Sequence, residues 1–281
     1  MDRRSFVQLD ARARAMALFD EGCCRELLGP SCGMGSPWLA RQGITPQADD
    51  GCVVMKGRIA AQTAVVMALD GSFLGGSVGE VSGMKMTAAL DLACADNQRG
   101  IPTSAVLLLE SGGARLSEAN LGMEAVAEIL ASMLALRRHA PVISVVAGPT
   151  GCFGGMSLAA ALSSYLVLTR QARLGLSGPR VIEQESGVEE LDASDRSLIQ
   201  AIFGGEQRHA MGLADALVED DTEQVAGAVR RLLASGLPRV HRSSQVANYR
   251  GRLAALDGLR LWEPAALRVL WNEAAGGEES A

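Results

Sequence analysis

The stretch that most constrains the fold is residues 106–115, VLLLESGGAR. Residues 106–109 form a short continuous apolar run, the pattern of a strand buried on both faces. The run breaks at Ser111-Gly112-Gly113-Ala114, and an amphipathic pattern follows, with Val126, Ile129, Leu130 and Met133 at i, i+3, i+4 and i+7. A second unit of the same form begins about forty residues later. There the apolar run 142–147 enters GPTGCFGG (148–155), and a helix of small residues, 156–162, follows. Glycine at a strand's carboxyl end lets a ligand approach the backbone, because no Cβ stands in the way. It also frees N–H groups to point into a cleft. Two such corners can aim two N–H donors at one oxygen. The candidate catalytic positions are therefore Gly112, Gly113 and Ala114 at one corner and Gly154 and Gly155 at the other.

The rest of the chain extends this alternation. Residues 5–28 read as a helix and 29–50 as an irregular arm, long for a loop and suited to wrapping a surface or a partner. Residues 52–55 and 64–69 read as a hairpin joined near 58–62, and a glycine-rich segment (70–83) precedes a helix over 84–98. Beyond the corners, 165–169, 173–176 and 215–218 read as strands. Helices are expected over 180–185, 194–203, 206–211, 223–234 and 243–256, and the last six residues are expected to be disordered. Helices between successive strands imply an α/β fold of stacked ββα units. Two regions follow: residues 1–50 as an N-terminal helix and arm, and 51–281 as the main domain with C-terminal helices.

Composition narrows the function. Of 281 residues 48% are apolar but only 4% aromatic, and 32 are glycine, so small residues do much of the packing. A formal charge of −6 without a basic run argues against nucleic acid as a partner. No apolar run approaches the roughly 18–20 residues that span a bilayer. The start, MDRRSFVQLDARARA, lacks an apolar signal core, so the expectation is a cytoplasmic protein with no membrane partner. The six cysteines form no C-x-x-C pair and there are three histidines, which excludes a zinc ribbon and leaves free buried thiols as the expected state. No metal site is expected.

Other chemistries fit less well. Neither corner has G-x-G-x-x-G spacing or the Lys-Ser/Thr of a P-loop. Ser157 would need His139, His209 or His241 as a base to act as a nucleophile. Arg115 and Glu118 sit one helical turn apart, as in a local ion pair. Glu110 can act as an acid or base, or stand as a paired strand-end carboxylate.

Three blocks in order, SGGAR (111–115), GPTGCFGGMS (148–157) and LSGPRVIEQ (176–184), resemble the carboxyltransferase β-subunit branch of the crotonase superfamily. The resemblance runs from about residue 51 to 218. Within that branch the chain is most similar to the β subunits of biotin-independent malonate decarboxylases, through SPWLARQGITPQADDG (36–51), GCFGGMS (151–157) and GGEQRHAMGLADALVEDD (204–221). The resemblance implies a crotonase-like superhelix and a homologous γ subunit as partner. It also implies an acyl carrier protein with a coenzyme A-like prosthetic group, and an acyl-carrier transferase subunit. The chain itself would bind no cofactor. The implied reaction takes malonyl-thioester to acetyl-thioester and carbon dioxide through an enolate. The competing readings are a carboxyltransferase or sodium-pump subunit that passes the carboxyl group to biotin, a coenzyme A hydratase or isomerase, and a non-catalytic scaffold.

Overall fold

The computed structural model describes residues 4–45, 50–148, 150–258 and 262–276. Pro149 and residues 277–281, with the disorder expected at that end, lie outside them. Seven strands form one sheet: β1 (Cys24–Leu28), β2 (Cys52–Ile59), β3 (Gln62–Leu69), β4 (Thr103–Leu108), β5 (Val142–Val146), β6 (Tyr165–Thr169) and β7 (Ala216–Val218). The helices are α1 (Ala11–Met16), α2 (Glu80–Gln98), α3 (Asn120–Leu136), α4 (Gly155–Leu162) and α5 (Pro179–Ser186). They continue with α6 (Arg196–Phe203), α7 (Gly205–Ala210), α8 (Thr222–Ala234), α9 (Val246–Ala254) and α10 (Pro264–Gly276). Among the described residues no helix is long and apolar enough to cross a membrane.

The strands lie side by side in sequence order. β1, β2 and β3 pair antiparallel, and β3 to β7 run parallel. Parallel neighbours need crossovers, and right-handed crossovers that always advance in one direction put their helices on one face. α2, α3 and α4 accordingly share one core with Val54, Met67, Leu107 and Leu166. The alternate residues Val53, Val66, Val106 and Val145 face a second core completed by α1 and α8. This period of two is the pleat of a sheet covered on both sides.

Each unit's second strand is reduced to bridged residues beyond the sheet. Val78 bridges Ala114, Ser111 bridges Cys152, and Cys152 bridges Leu174, all in parallel. The expected superhelix of ββα units is therefore present, with its second layer written in single residues at the corners.

Four local expectations are corrected. The segment 173–176 is not a strand of the sheet: Arg173 and Leu174 make only isolated bridges, to Gly204 and Cys152. Residues 5–28 are not one helix: α1 is six residues long, capped by the Asp10 carboxylate, and Cys24–Leu28 is a strand on β2. Phe6, Leu18 and Phe19 plug the α1–α8 core, so tertiary burial overrides a helical pattern here. α2 begins at Glu80, four residues early, and includes Gly83, because a Cβ there would lie 2.4 Å from Ala125 Cβ on α3. α10 lies beyond the last expected helix, 243–256; it is anchored where the buried Trp271 indole N–H donates to the Met211 carbonyl at 2.7 Å. The β2–β3 hairpin turns on Ala60 and Ala61 at φ 50° and 63°, a conformation that usually takes Asn or Gly. The Asp20 carboxylate, which accepts both their N–H groups, offsets the strain.

Candidate active site

β4 and β5 end side by side, so the two glycine corners meet. Gly113 (φ 107°) and Gly154 (φ 57°) stand back to back: a Cβ on either would lie 3.0 Å from the other's Cα. A Cβ on Gly113 would also stand 3.3 Å from the Gly155 nitrogen. Both backbones occupy the left-handed half of φ, so glycine is required twice over.

The hydrogen bonds sort the five positions. Gly112 N–H donates to Gly75 O at 2.9 Å, Gly113 N–H to Ser111 Oγ at 3.1 Å, and Gly154 N–H to Leu176 O at 2.8 Å. These three donors are engaged in building the corner. Val78 N–H donates to Gly113 O and Arg115 N–H to Val78 O, which turns the intervening Ala114 N–H away from Val78. Gly155 is the first residue of α4, where an N–H has no helical acceptor. Among the described residues neither the Ala114 nor the Gly155 N–H meets a backbone acceptor. The positive end of α4 adds to the field at this point. The doublet Gly112-Gly113, identical in sequence, thus divides. Gly112 is exposed and roomy, its nearest neighbour 3.4 Å from a Cβ, while Gly113 has no such space.

Around the corners the ion pairs are structural. Arg115 and Glu118 form the expected local pair at 2.9 Å, both buried. Arg115 also donates to Ser77 O at 2.8 Å and lies over the Phe73 ring, while Glu118 accepts the Glu80 N–H at 2.8 Å, holding the start of α2. Glu110 is 6% exposed and pairs with Arg14 of α1, so it is a paired strand-end carboxylate.

The Ser157 hydroxyl donates to Gly154 O at 2.7 Å, and no bond joins it to any of the three histidines. A serine nucleophile has no support in this geometry. All six cysteines are free, but only Cys52 and Cys152 are buried; Cys32 is exposed because it lies on the arm. Burial pushes the Cys152 thiol well above its ordinary range, so it stays protonated and inert.

The LSGPRVIEQ block forms the rim. Gly154 hangs from Leu176, and the Phe153 ring meets Phe203 edge-on at 5.9 Å in a small apolar cluster with Leu191 and Ile199. Gly175 passes beneath Phe203, where a Cβ would approach to 2.8 Å. What the sequence reading missed is the roles of Leu176 O and Ser111 Oγ in occupying corner N–H groups, and Arg14, whose partner is 96 residues away.

Residues 37–251 match the carboxyl transferase domain. Over 227 residues the chain is 38% identical to the malonyl-S-ACP:biotin-protein carboxyltransferase of Malonomonas rubra, covering 77% of this chain and 71% of that protein. It is similar to a chain of a Pseudomonas malonate decarboxylase hetero-tetramer solved in complex with malonate. There the TM-score is 0.90 at 54% identity, covering 95% of this chain and 97% of the other. A Pseudomonas malonate decarboxylase hetero-dimer gives a TM-score of 0.75 at 49% identity, covering 89% of this chain and 97% of that one. With most of its length matched and its two glycine corners joined on a crotonase-like superhelix, the chain belongs to the carboxyl transferase domain family.

Proposed function

We propose that this chain is the β subunit of a malonate decarboxylase, acting with a homologous γ subunit on a malonyl-thioester carried by an acyl carrier protein. The observation that carries the chemistry is the meeting of the two corners with the Ala114 and Gly155 N–H groups left over. In the proposed reaction the bond from C2 to the carboxylate breaks and carbon dioxide leaves. The electron pair moves onto the thioester oxygen as an enolate, and C2 then takes one proton to become acetyl. Two fixed N–H donors at that oxygen bind the enolate more strongly than the ground-state carbonyl, which is where rate acceleration comes from. Gly112, Gly113 and Gly154 shape the hole, and Ala114 and Gly155 donate. No cofactor is assigned to this chain; the substrate arm is the carrier's coenzyme A-like prosthetic group, loaded by an acyl-carrier transferase subunit.

The malonyl substrate and the paired architecture are supported by the likeness to the Pseudomonas malonate decarboxylase assemblies. A partner also fits the surface beside the corners, where Leu116 (84%), Leu176 (64%), Met123 and Val181 are exposed. Exposed apolar side chains on segments that flank the corners are what an interaction site would present. We place the boundary of the main domain at residue 51 and the protein in the cytoplasm.

A second reading is kept by one observation: the Malonomonas relative hands a carboxyl group to biotin. Both routes pass through the same enolate. The co-purified complex, given malonyl-thioester carrier protein, should release carbon dioxide in the presence of avidin and of a strong chelator. Made in heavy water, the acetyl product should carry one deuterium. Activity abolished by avidin would assign the chain to the biotin-dependent route.

A further inference from the structure

A charged side chain from outside the matched family region, Arg14, pairs with Glu110 at the end of β4. The Glu110 carboxylate is packed against bare backbone. A Cβ on Gly148 would lie 1.9 Å from its Cδ, and one on Gly71 would lie 2.4 Å from it. A Cβ on Gly76 would lie 1.8 Å from the Glu110 carbonyl oxygen. Three glycines are thus cut to the shape of one residue.

Glu110 has two partners. Arg14 pairs with it from α1, and the Thr150 N–H, in the second glycine loop, donates to its Oε1 at 3.2 Å. The next residue continues the strut: Ser111 N–H donates to Gly151 O and Ser111 O accepts from Phe153 N–H, both at 2.8 Å. Glu110 therefore ties the end of β4 to the loop after β5, and the Ser111 bonds to Gly151 and Phe153 carry that tie toward Gly113 and Gly154. Arg14 is itself buried and further fixed by donation to the Phe6 and Val7 carbonyls. It lies outside residues 37–251, the span that matches the family.

We propose that Glu110, paired with Arg14, is a positioning residue that sets the spacing of the Ala114 and Gly155 donors, and that the N-terminal segment is by this route a working part of the active site. The inference rests on the corner being the oxyanion site, and applies whether the carboxyl group leaves as carbon dioxide or goes to biotin.

The chemistry gives a signed test. In Arg14→Met the Glu110 carboxylate loses its counter-charge while still enclosed, in a cleft of about 360 Å³ that Asp10 and Asp70 also line. Only the Thr150 N–H then holds the carboxylate in its niche. Turnover of Arg14→Met should fall ~10²-fold, the typical effect of a misplaced catalytic group. KM should change little, because a transition-state interaction is lost and not substrate binding. Glu110→Gln, which strands the Arg14 charge, should also lose turnover. Arg14→Met/Glu110→Gln, with neither charge and the Thr150 acceptor kept, should recover most of the loss.

All variants are measured in the co-expressed complex, beside Gly155→Pro/Val126→Ala. Normal kcat in both single variants, with Gly155→Pro/Val126→Ala inactive, overturns the role of Glu110 and leaves the oxyanion site standing. Loss in both singles without rescue in the double variant reduces the pair to a fold-stabilising contact and equally overturns the proposal. An active Gly155→Pro/Val126→Ala complex sinks the corner reading itself.

Discussion

The two glycine corners resemble one another in sequence and differ in how they are built. The first, at residues 110–115, adds charged side chains to its main-chain bonds with Gly75 and Val78. Glu110 reaches Arg14 on α1, and Arg115 with Glu118 reaches the start of α2. The second, at 151–155, is held by main chain: Cys152, Phe153 and Gly154 N–H groups donate to the carbonyls of Arg173, Ser111 and Leu176, each at 2.8 Å. The side-chain struts are specific but sensitive to charge, since removing one partner of a buried pair leaves the other uncompensated. The backbone struts tolerate changes of side chain but not of space, because their close approach needs glycine. Mutations should therefore separate the corners by kind.

The largest effect is expected at the second corner. Gly155 is the first residue of α4, where proline is accepted and merely deletes the N–H. A Cβ there would lie 2.6 Å from Val126 Cγ1, so Val126→Ala accompanies it to make room. Gly155→Pro/Val126→Ala should lose about 10²–10³ in kcat relative to Gly155→Ala/Val126→Ala, the usual effect of one oxyanion donor. Equal rates in the two folded variants would remove Gly155 from the mechanism.

Next in size is Gly148→Ala, which joins the corners' two kinds of support. Its Cβ would occupy the place of the Glu110 carboxylate, breaking the pair with Arg14. A destabilisation of about 3–5 kcal/mol is expected, as for other broken buried pairs. Thermal unfolding of the complex measures it, and an unchanged midpoint would show that Glu110 can move aside freely.

The adjacent glycines of the first corner sharpen the comparison. Gly113→Ala, at φ 107° and 3.0 Å from the Gly154 Cα, should destabilise by ~1–3 kcal/mol and impair turnover. Gly112→Ala, with its nearest neighbour at 3.4 Å, should stay within ~0.5 kcal/mol. Denaturant titration of the pair reads the difference directly; equal losses would mean that the doublet is required as a unit.

The smallest effect belongs to Ser157. Its hydroxyl only returns a bond to Gly154 O, so Ser157→Ala should alter kcat by less than ~10-fold, since one local hydrogen bond is worth about 1 kcal/mol. A nucleophile would lose several orders of magnitude.

Much of this architecture was legible along the chain, because a pleat, an amphipathic stripe and a glycine corner are properties of consecutive residues. The runs at 106–109 and 142–147 became β4 and β5, and Val126, Ile129 and Met133 became the buried stripe of α3. The proline at 179 opened α5 as its fixed φ predicts. The sequence also named both corners before they were seen together. Three things it could not hold. It could not tell Gly112 from Gly113, since their difference is the distance to a neighbour about forty residues away. Which N–H groups remain free was likewise hidden, because Leu176, Gly75 and Val78 settle that from separate segments. Nor could the sequence pair Arg14 with Glu110 across 96 residues, where burial of both charges is possible only once α1 lies over the ends of β3 and β4. Local pattern fixes what each segment can become; which donors are spent and which charges meet depends on distances between segments, and only packing creates those.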